Sequence, residues 1–249
     1  MSRRDEELAA FLAVPAPDRE AYLRAHSNLP GPRGNLELLD VASKAADPAD
    51  LKRWAALDPG TAPGDAPAGF VACVGVAGLG RLVAAGDRSL LPALHRAAND
   101  PRWRVREAVS IGLQYWGDAD MAAMLTEVEG WAAGTPLQGR AAMAALCEPR
   151  LLHDRAVVAR VLAVLGRLTA TVRDAADPRA EDLRVLRQAL GYGWSVAIAA
   201  DPEAGLRAFD PWLDDANADV RWIVRQNLVK SRLSRAAPDW VARAIARIG

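Results

Sequence analysis

The residues best suited to chemistry in this chain are arginines with an indole beside them. On a helix spanning 218–232, at 100° per residue, Arg221, Arg225 and Arg232 fall within a band of about 40°. Trp222 and Val229 lie on one side of that band. Val220, Val224 and Leu228 form an apolar stripe on the other, extended by Ile223. A cationic stripe with an aromatic neighbour is the footprint of a contact with phosphate or with an acidic protein surface. The segment 217–249 carries seven basic residues against Asp219 and Asp239. A helix over 102–116 repeats the theme. Val105, Ala108, Val109, Gly112, Leu113 and Trp116 share a face that Arg102 and Arg106 flank, and Trp103 falls opposite, near Glu107. An outward Trp103 is either a contact residue or one buried against a neighbouring helix pair. The candidate partner-binding residues are therefore Arg102, Trp103, Arg106, Arg221, Trp222, Arg225 and Arg232.

Other chemistry finds little footing. His26, His95 and His153 are isolated, with no HExxH or comparable ligand pair. Cys73 and Cys147 are the only cysteines, too few for a disulfide framework and without CxxC spacing for zinc. Gly75, Gly78 and Gly80 follow no strand, so they make no phosphate loop; on a helix they permit close packing. No nucleophile triad, metal cage or paired carboxylate set stands out, so the expectation is no catalytic residue, no metal and no cofactor. The formal net charge is zero, so no global field points to nucleic acid or membrane. Lysine occurs only at 44, 52 and 230; the other basic residues are arginines, suited to bidentate contacts. The segment MSRRDEELAAFLAV places acids where a signal peptide needs an apolar run. The longest apolar stretch, Gly69–Gly80, is short and glycine-rich for a membrane span. A soluble, cytoplasmic protein is expected.

The elements that must position these residues are helices. Period-two alternation is absent at useful length, while helical spacing recurs almost everywhere between Pro, Gly and Asp breaks. Helices are predicted at 4–13, 17–26, 34–46, 48–57, 70–85, 88–98, 102–116, 118–132, 136–147, 154–174, 179–199, 202–213, 218–232 and 238–248. Asp47-Pro48, Asp100-Pro101, Asp177-Pro178 and Asp201-Pro202 read as a capping acid before a first-turn proline. The Pro/Gly cluster at 59–69 is the best candidate for a flexible loop. The block His26–Asn35, with Pro30, Gly31, Pro32 and Gly34, reads either as a ligand-facing turn presenting Arg33 and Asn35 or as an ordered joint. Short connections imply antiparallel neighbours.

The chain also repeats itself. At a constant offset of 115, Leu91 matches Leu206, Leu94 matches Phe209, Asp100 matches Asp215, and Val105-Arg106 matches Val220-Arg221. Val109 then matches Val224, and Leu113 matches Leu228. Each copy is an apolar helix, a turn opening on Asp and a second apolar helix, which is the mark of a stacked array. Asp, four residues, then Val-Arg resembles the HEAT repeat, most closely in DDANADVR at 214–221. The resemblance implies an all-α fold: a right-handed α-solenoid of about five or six antiparallel helix pairs. It implies a helical cap over 1–30 and one continuous array over 31–249. It also implies that Val105 and Val220 are core residues, and that Asp100, Arg106, Asp215 and Arg221 join an inter-repeat ladder.

Such arrays expose an extended concave surface, and the function expected is a non-enzymatic scaffold for a protein or other macromolecule. The alternative rests on a distant similarity to the AlkD-like HEAT-repeat DNA glycosylases, in segments such as Asp100–Val109. That similarity implies a basic groove for duplex DNA. Their Trp-Trp-Asp segment is absent; Trp116 with Asp118 or Asp120, and Trp212 with Asp214 or Asp215, come nearest. A protein partner is expected first and nucleic acid second, through the basic C-terminal repeat; no membrane contact is expected.

Overall fold

The computed structural model describes residues 2–248. Among them there are fifteen α-helices, four short 3-10 turns and no strand. The helices fall into two compact units, Met1–Asp120 and Met121–Gly249.

The first unit contains α1 (Arg3–Ala13), α2 (Arg19–Ala25), α3 (Leu36–Ala45), α4 (Pro48–Ala55), α5 (Pro67–Ala84), α6 (Leu91–Ala97) and α7 (Trp103–Ala119). Its axis is α5, which packs against α2, α3, α4 and α7. The glycines of α5 make that crowding feasible. A Cβ on Gly75 would stand 2.2 Å from the Ala55 nitrogen of α4, and one on Gly80 2.1 Å from the Gly112 carbonyl oxygen of α7. The helix extends beyond the Gly69–Gly80 run at both ends. Its 18 residues are apolar and long enough to cross a membrane, against the sequence expectation, but 83% of them are buried within the protein.

The second unit contains α8 (Met121–Trp131), α9 (Pro136–Leu146), α10 (Arg155–Arg173), α11 (Glu181–Ala200), α12 (Pro202–Phe209), α13 (Ala218–Leu228), α14 (Ser231–Ala236) and α15 (Pro238–Ile248). Here α11 is the axis, packed against α9, α10, α12, α13 and α14. Trp194 of α11 is fully buried against Phe209 of α12, ring centroids 5.1 Å apart, and its indole N–H donates to Thr169 Oγ1 of α10 at 3.0 Å.

The duplication is wider in structure than in sequence. Adding 115 to Pro67–Ala84 gives 182–199, and α11 occupies Glu181–Ala200. Both α7 and α13 begin at equivalent positions, Trp103 and Ala218. Leu94, Val105, Val109 and Leu113 are buried, as are their partners Phe209, Val220, Val224 and Leu228. The turns before the two helices also match. Asp100 Oδ1 accepts the backbone N–H of Arg102 at 2.8 Å, and Asp215 Oδ1 that of Asn217 at 2.8 Å. These are Asx turns. They explain why the Asp-Pro pairs differ from their expected role: Asp100 and Asp177 turn the chain ahead of the helix, Asp177 onto the N–H of Arg179 at 3.0 Å. Asp201 does cap, accepting from Ala204 N, whereas Asp47 stands at the N-cap of α4 without a side-chain bond to that helix.

The segment 59–69 is not one loop. Its last residues start α5, and the rest is tied down: Ala62 is fully buried, and its carbonyl accepts from Arg102 Nη1 at 2.9 Å. In the His26–Asn35 block, Asn35 is buried. It caps α3 through Leu38 N and donates to the His26 carbonyl, so it joins elements, while Arg33 stays exposed.

Candidate functional site

The predicted arginine stripe divides between two helices. The chain leaves α13 at Leu228 and re-enters a helix at Ser231, with Val229 71% exposed between them. Arg232 therefore belongs to α14, and the single 218–232 helix is corrected to two. The angular band survives for Arg221 and Arg225, one turn apart on α13 and both exposed, while Val220, Ile223, Val224 and Leu228 are buried beneath. Asn217 holds the start of this helix by accepting the backbone N–H groups of Asp219 and Val220.

Arg221 and Arg225 line a cleft of about 320 Å³. Leu213 and Val224 supply apolar wall, and Asp214, Asp215 and Arg247 supply charge. These charges differ in their commitments. Arg247 is exposed but spent: it is paired with Asp214 and lies 3.2 Å from Asp210. Those carboxylates raise its already high pKa further, chiefly through the hydrogen bond that Asp214 accepts from it. One oxygen of Asp215 accepts the Asn217 N–H. The guanidiniums of Arg221 and Arg225 make no hydrogen bond or ion pair to another described residue. Some arginines of this unit do hold acids, as Arg160 holds Glu129 at 2.7 Å and Arg173 holds Asp174 at 2.7 Å. The cleft thus combines the Arg247–Asp214 pair and the Asp215 carboxylate with two guanidiniums that make no ion pair.

Trp222 is half-buried. Its ring edge packs on Gly191 of α11, where an added Cβ would come within 2.9 Å of Cζ3. The Arg187 guanidinium lies 4.8 Å from its centroid and is ion-paired with Asp219. The indole thus helps lock α13 to α11, a packing role the helix angles alone did not distinguish from contact.

In the first unit the candidates separate more sharply. Arg102, at 8% exposure, is buried; its guanidinium makes a bidentate pair with Asp100 at 2.9 and 2.7 Å and donates to Ala62 O. It is a structural residue that ties the 58–66 segment to the start of α7. Arg106 is half-buried and donates to the Asp100 and Pro101 carbonyls at 2.6 and 3.1 Å, closing the same turn. Asp100 thus meets Arg102 within its own turn. Trp103 alone faces solvent, 50% exposed, with the Arg104 guanidinium 4.2 Å from its centroid. Sequence reading passed over Arg104, whose i+1 position beside an exposed indole was the available signal.

The Trp/Asp pairs are also committed. Trp116 is buried beneath the Arg88 guanidinium, and Asp214 is paired with Arg247. Among the described residues no three His, Cys, Asp or Glu side chains cluster as metal ligands. No family model matches the chain, and neither the curated proteins nor the solved structures contain a match to it.

Proposed function

We propose that this protein is a non-enzymatic interaction module, its helix pairs stacked as a right-handed HEAT-like α-solenoid, that binds an acidic protein surface through α13. The pair Arg221 and Arg225 carries the reading. They are exposed, one turn apart and on the wall of a cleft, and neither makes an ion pair with a described carboxylate. Some other arginines of this unit, such as Arg160, Arg173 and Arg247, hold acids of their own. Exposed charge whose counter-ion is not supplied by its own fold governs partner choice and association rate. Matched Asx turns, helix starts and buried positions at the 115-residue spacing support the repeat reading.

The test is affinity capture with cross-linking, comparing the wild type with Arg221→Glu/Arg225→Glu. An acidic partner lost from the double variant, at unchanged thermal stability, supports the reading. Undiminished capture by the double variant sinks it. DNA is the competing occupant, because guanidinium also fits phosphate. Titration of duplex and single-stranded DNA over a salt series separates the two. Binding that weakens steeply with salt and disappears in the double variant would move the assignment to nucleic acid.

A further inference from the structure

The first unit carries a second cavity, of different chemistry and remote in sequence from the arginine pair. Its volume is about 290 Å³, just below the range of about 300–1,000 Å³ usual for small-molecule sites. Leu39, Phe70 and Ile111, from α3, α5 and α7, supply apolar lining, with Trp103 alongside and Arg33 among the lining residues. Leu36, 65% exposed, also borders it. Two of the large apolar side chains that this protein exposes therefore border one cavity, rather than being scattered singly over the surface.

The walls are braced. The Arg104 guanidinium stacks on the Trp103 indole, donates to the Gly31 carbonyl at 2.9 Å and pairs with Asp65 at 2.5 Å. One side chain thereby fixes the indole, the 28–34 segment and the 58–66 segment together. A preformed apolar wall of this kind lowers the ordering cost of binding. The charges have a sign. Arg104 is already matched by Asp65, and Glu107 has an interaction of its own. Arg33 is exposed and makes no hydrogen bond or ion pair to another described residue. The site thus offers an apolar pocket and one uncommitted cation.

We infer that this cavity binds a small amphipathic monocarboxylate, its ring or short alkyl chain against Trp103, Phe70 and Ile111 and its carboxylate on Arg33. The apolar lining takes the hydrocarbon part, the volume limits its size, and Arg33 selects an anion over a neutral or cationic analogue.

The experiment is calorimetric titration of the full chain with 4-phenylbutyrate and octanoate, and with octylamine as a cation of matched length. Saturable binding of at least one carboxylate is expected, at least ten-fold tighter than octylamine. Arg33→Glu, an exposed substitution, should weaken carboxylate binding at least ten-fold while leaving the thermal midpoint unchanged. Trp103→Ala should weaken both carboxylates. Ile111→Trp should block the cavity; if it fails to fold, Leu36→Trp at the exposed border serves instead. No binding at millimolar ligand, octylamine binding as tight as octanoate, or indifference to both Arg33→Glu and Trp103→Ala would each overturn the inference. None of these outcomes bears on the α13 arginines.

Discussion

Asn227 Oδ1 accepts the backbone N–H of Ser195 at 2.8 Å, at the crossing that corresponds, 115 residues earlier, to Gly112 against Gly80. The same helix crossing is thus solved in two ways. In the first unit both side chains are deleted, so that the α5 and α7 backbones meet directly. In the second, a fully buried Asn227 fills the gap between α11 and α13. Its amide nitrogen donates to the Leu190 and Ile223 carbonyls, both at 2.8 Å. A buried amide is tolerated here because its polar atoms are matched.

Two substitutions at this crossing should act through different physics. Asn227→Leu removes the side-chain bonds to the Ser195 N–H and to the Leu190 and Ile223 carbonyls, at a net cost of about 0.5–1.5 kcal/mol for each bond. Gly80→Ala drives a Cβ into the Gly112 carbonyl, an overpacking cost of about 3 kcal/mol. Urea denaturation of each variant measures both. A Gly80→Ala protein of wild-type stability would mean that α5 and α7 are not in backbone contact.

Core and surface on α13 should respond oppositely. Val220→Asp places an unpaired charge at a fully buried position and should cost at least ~3 kcal/mol. Arg225→Ala, exposed and unpaired, should stay within about 0.5 kcal/mol of the wild type. Thermal melts showing equal effects would refute the facing of this helix.

Arg102 should behave as a structural residue despite its charge. Arg102→Ala strips Asp100 of its bidentate partner and the Ala62 carbonyl of its donor, a loss of about 3 kcal/mol for breaking a largely buried pair. Arg102→Lys should recover only part of it, because an ammonium cannot reproduce the planar fork. Full rescue by lysine, read in denaturant midpoints, would contradict the geometry.

Acid should loosen the first unit through Glu20. Burial pushes its carboxyl upward, but hydrogen bonds from Arg24 and Arg53 outweigh that and hold it below the ordinary glutamate value of 4.5. A carboxylate depressed on folding contributes stability that is complete above its unfolded value and is lost as pH falls through the folded one. The melting temperature should therefore drop below about pH 4.5, and less steeply in Glu20→Gln. Parallel pH profiles for the two proteins would remove Glu20 from the account.

Each unit contains one cysteine, Cys73 or Cys147, and burial pushes each thiol up to about 12. Little reactive thiolate forms at pH 8, so both should resist a disulfide reagent until their unit opens. Mass spectrometry of labelled peptides along a urea gradient would then report the two units separately. Immediate stoichiometric labelling of Cys73 without denaturant would show that α5 is not enclosed as described.

Much of this architecture was legible in residue order. Helical periodicity and Pro, Gly and Asp punctuation are local properties, so nearly every helix was placed within a few residues. The 115-residue repeat correctly marked Val105, Val109, Val220 and Val224 as core, because an apolar stripe on a helix must be buried somewhere. The helix break at Val229 was missed because no Pro or Gly marks it. What each charge does was decided by tertiary structure alone. Arg102 stands just before α7 and Arg221 is the fourth residue of α13, and residue order marks both alike as candidate contacts. One is buried on Asp100 and the Ala62 carbonyl, a segment forty positions away; the other meets no carboxylate. Residue type specifies what a guanidinium can bind, but only the fold determines whether the chain has already supplied it.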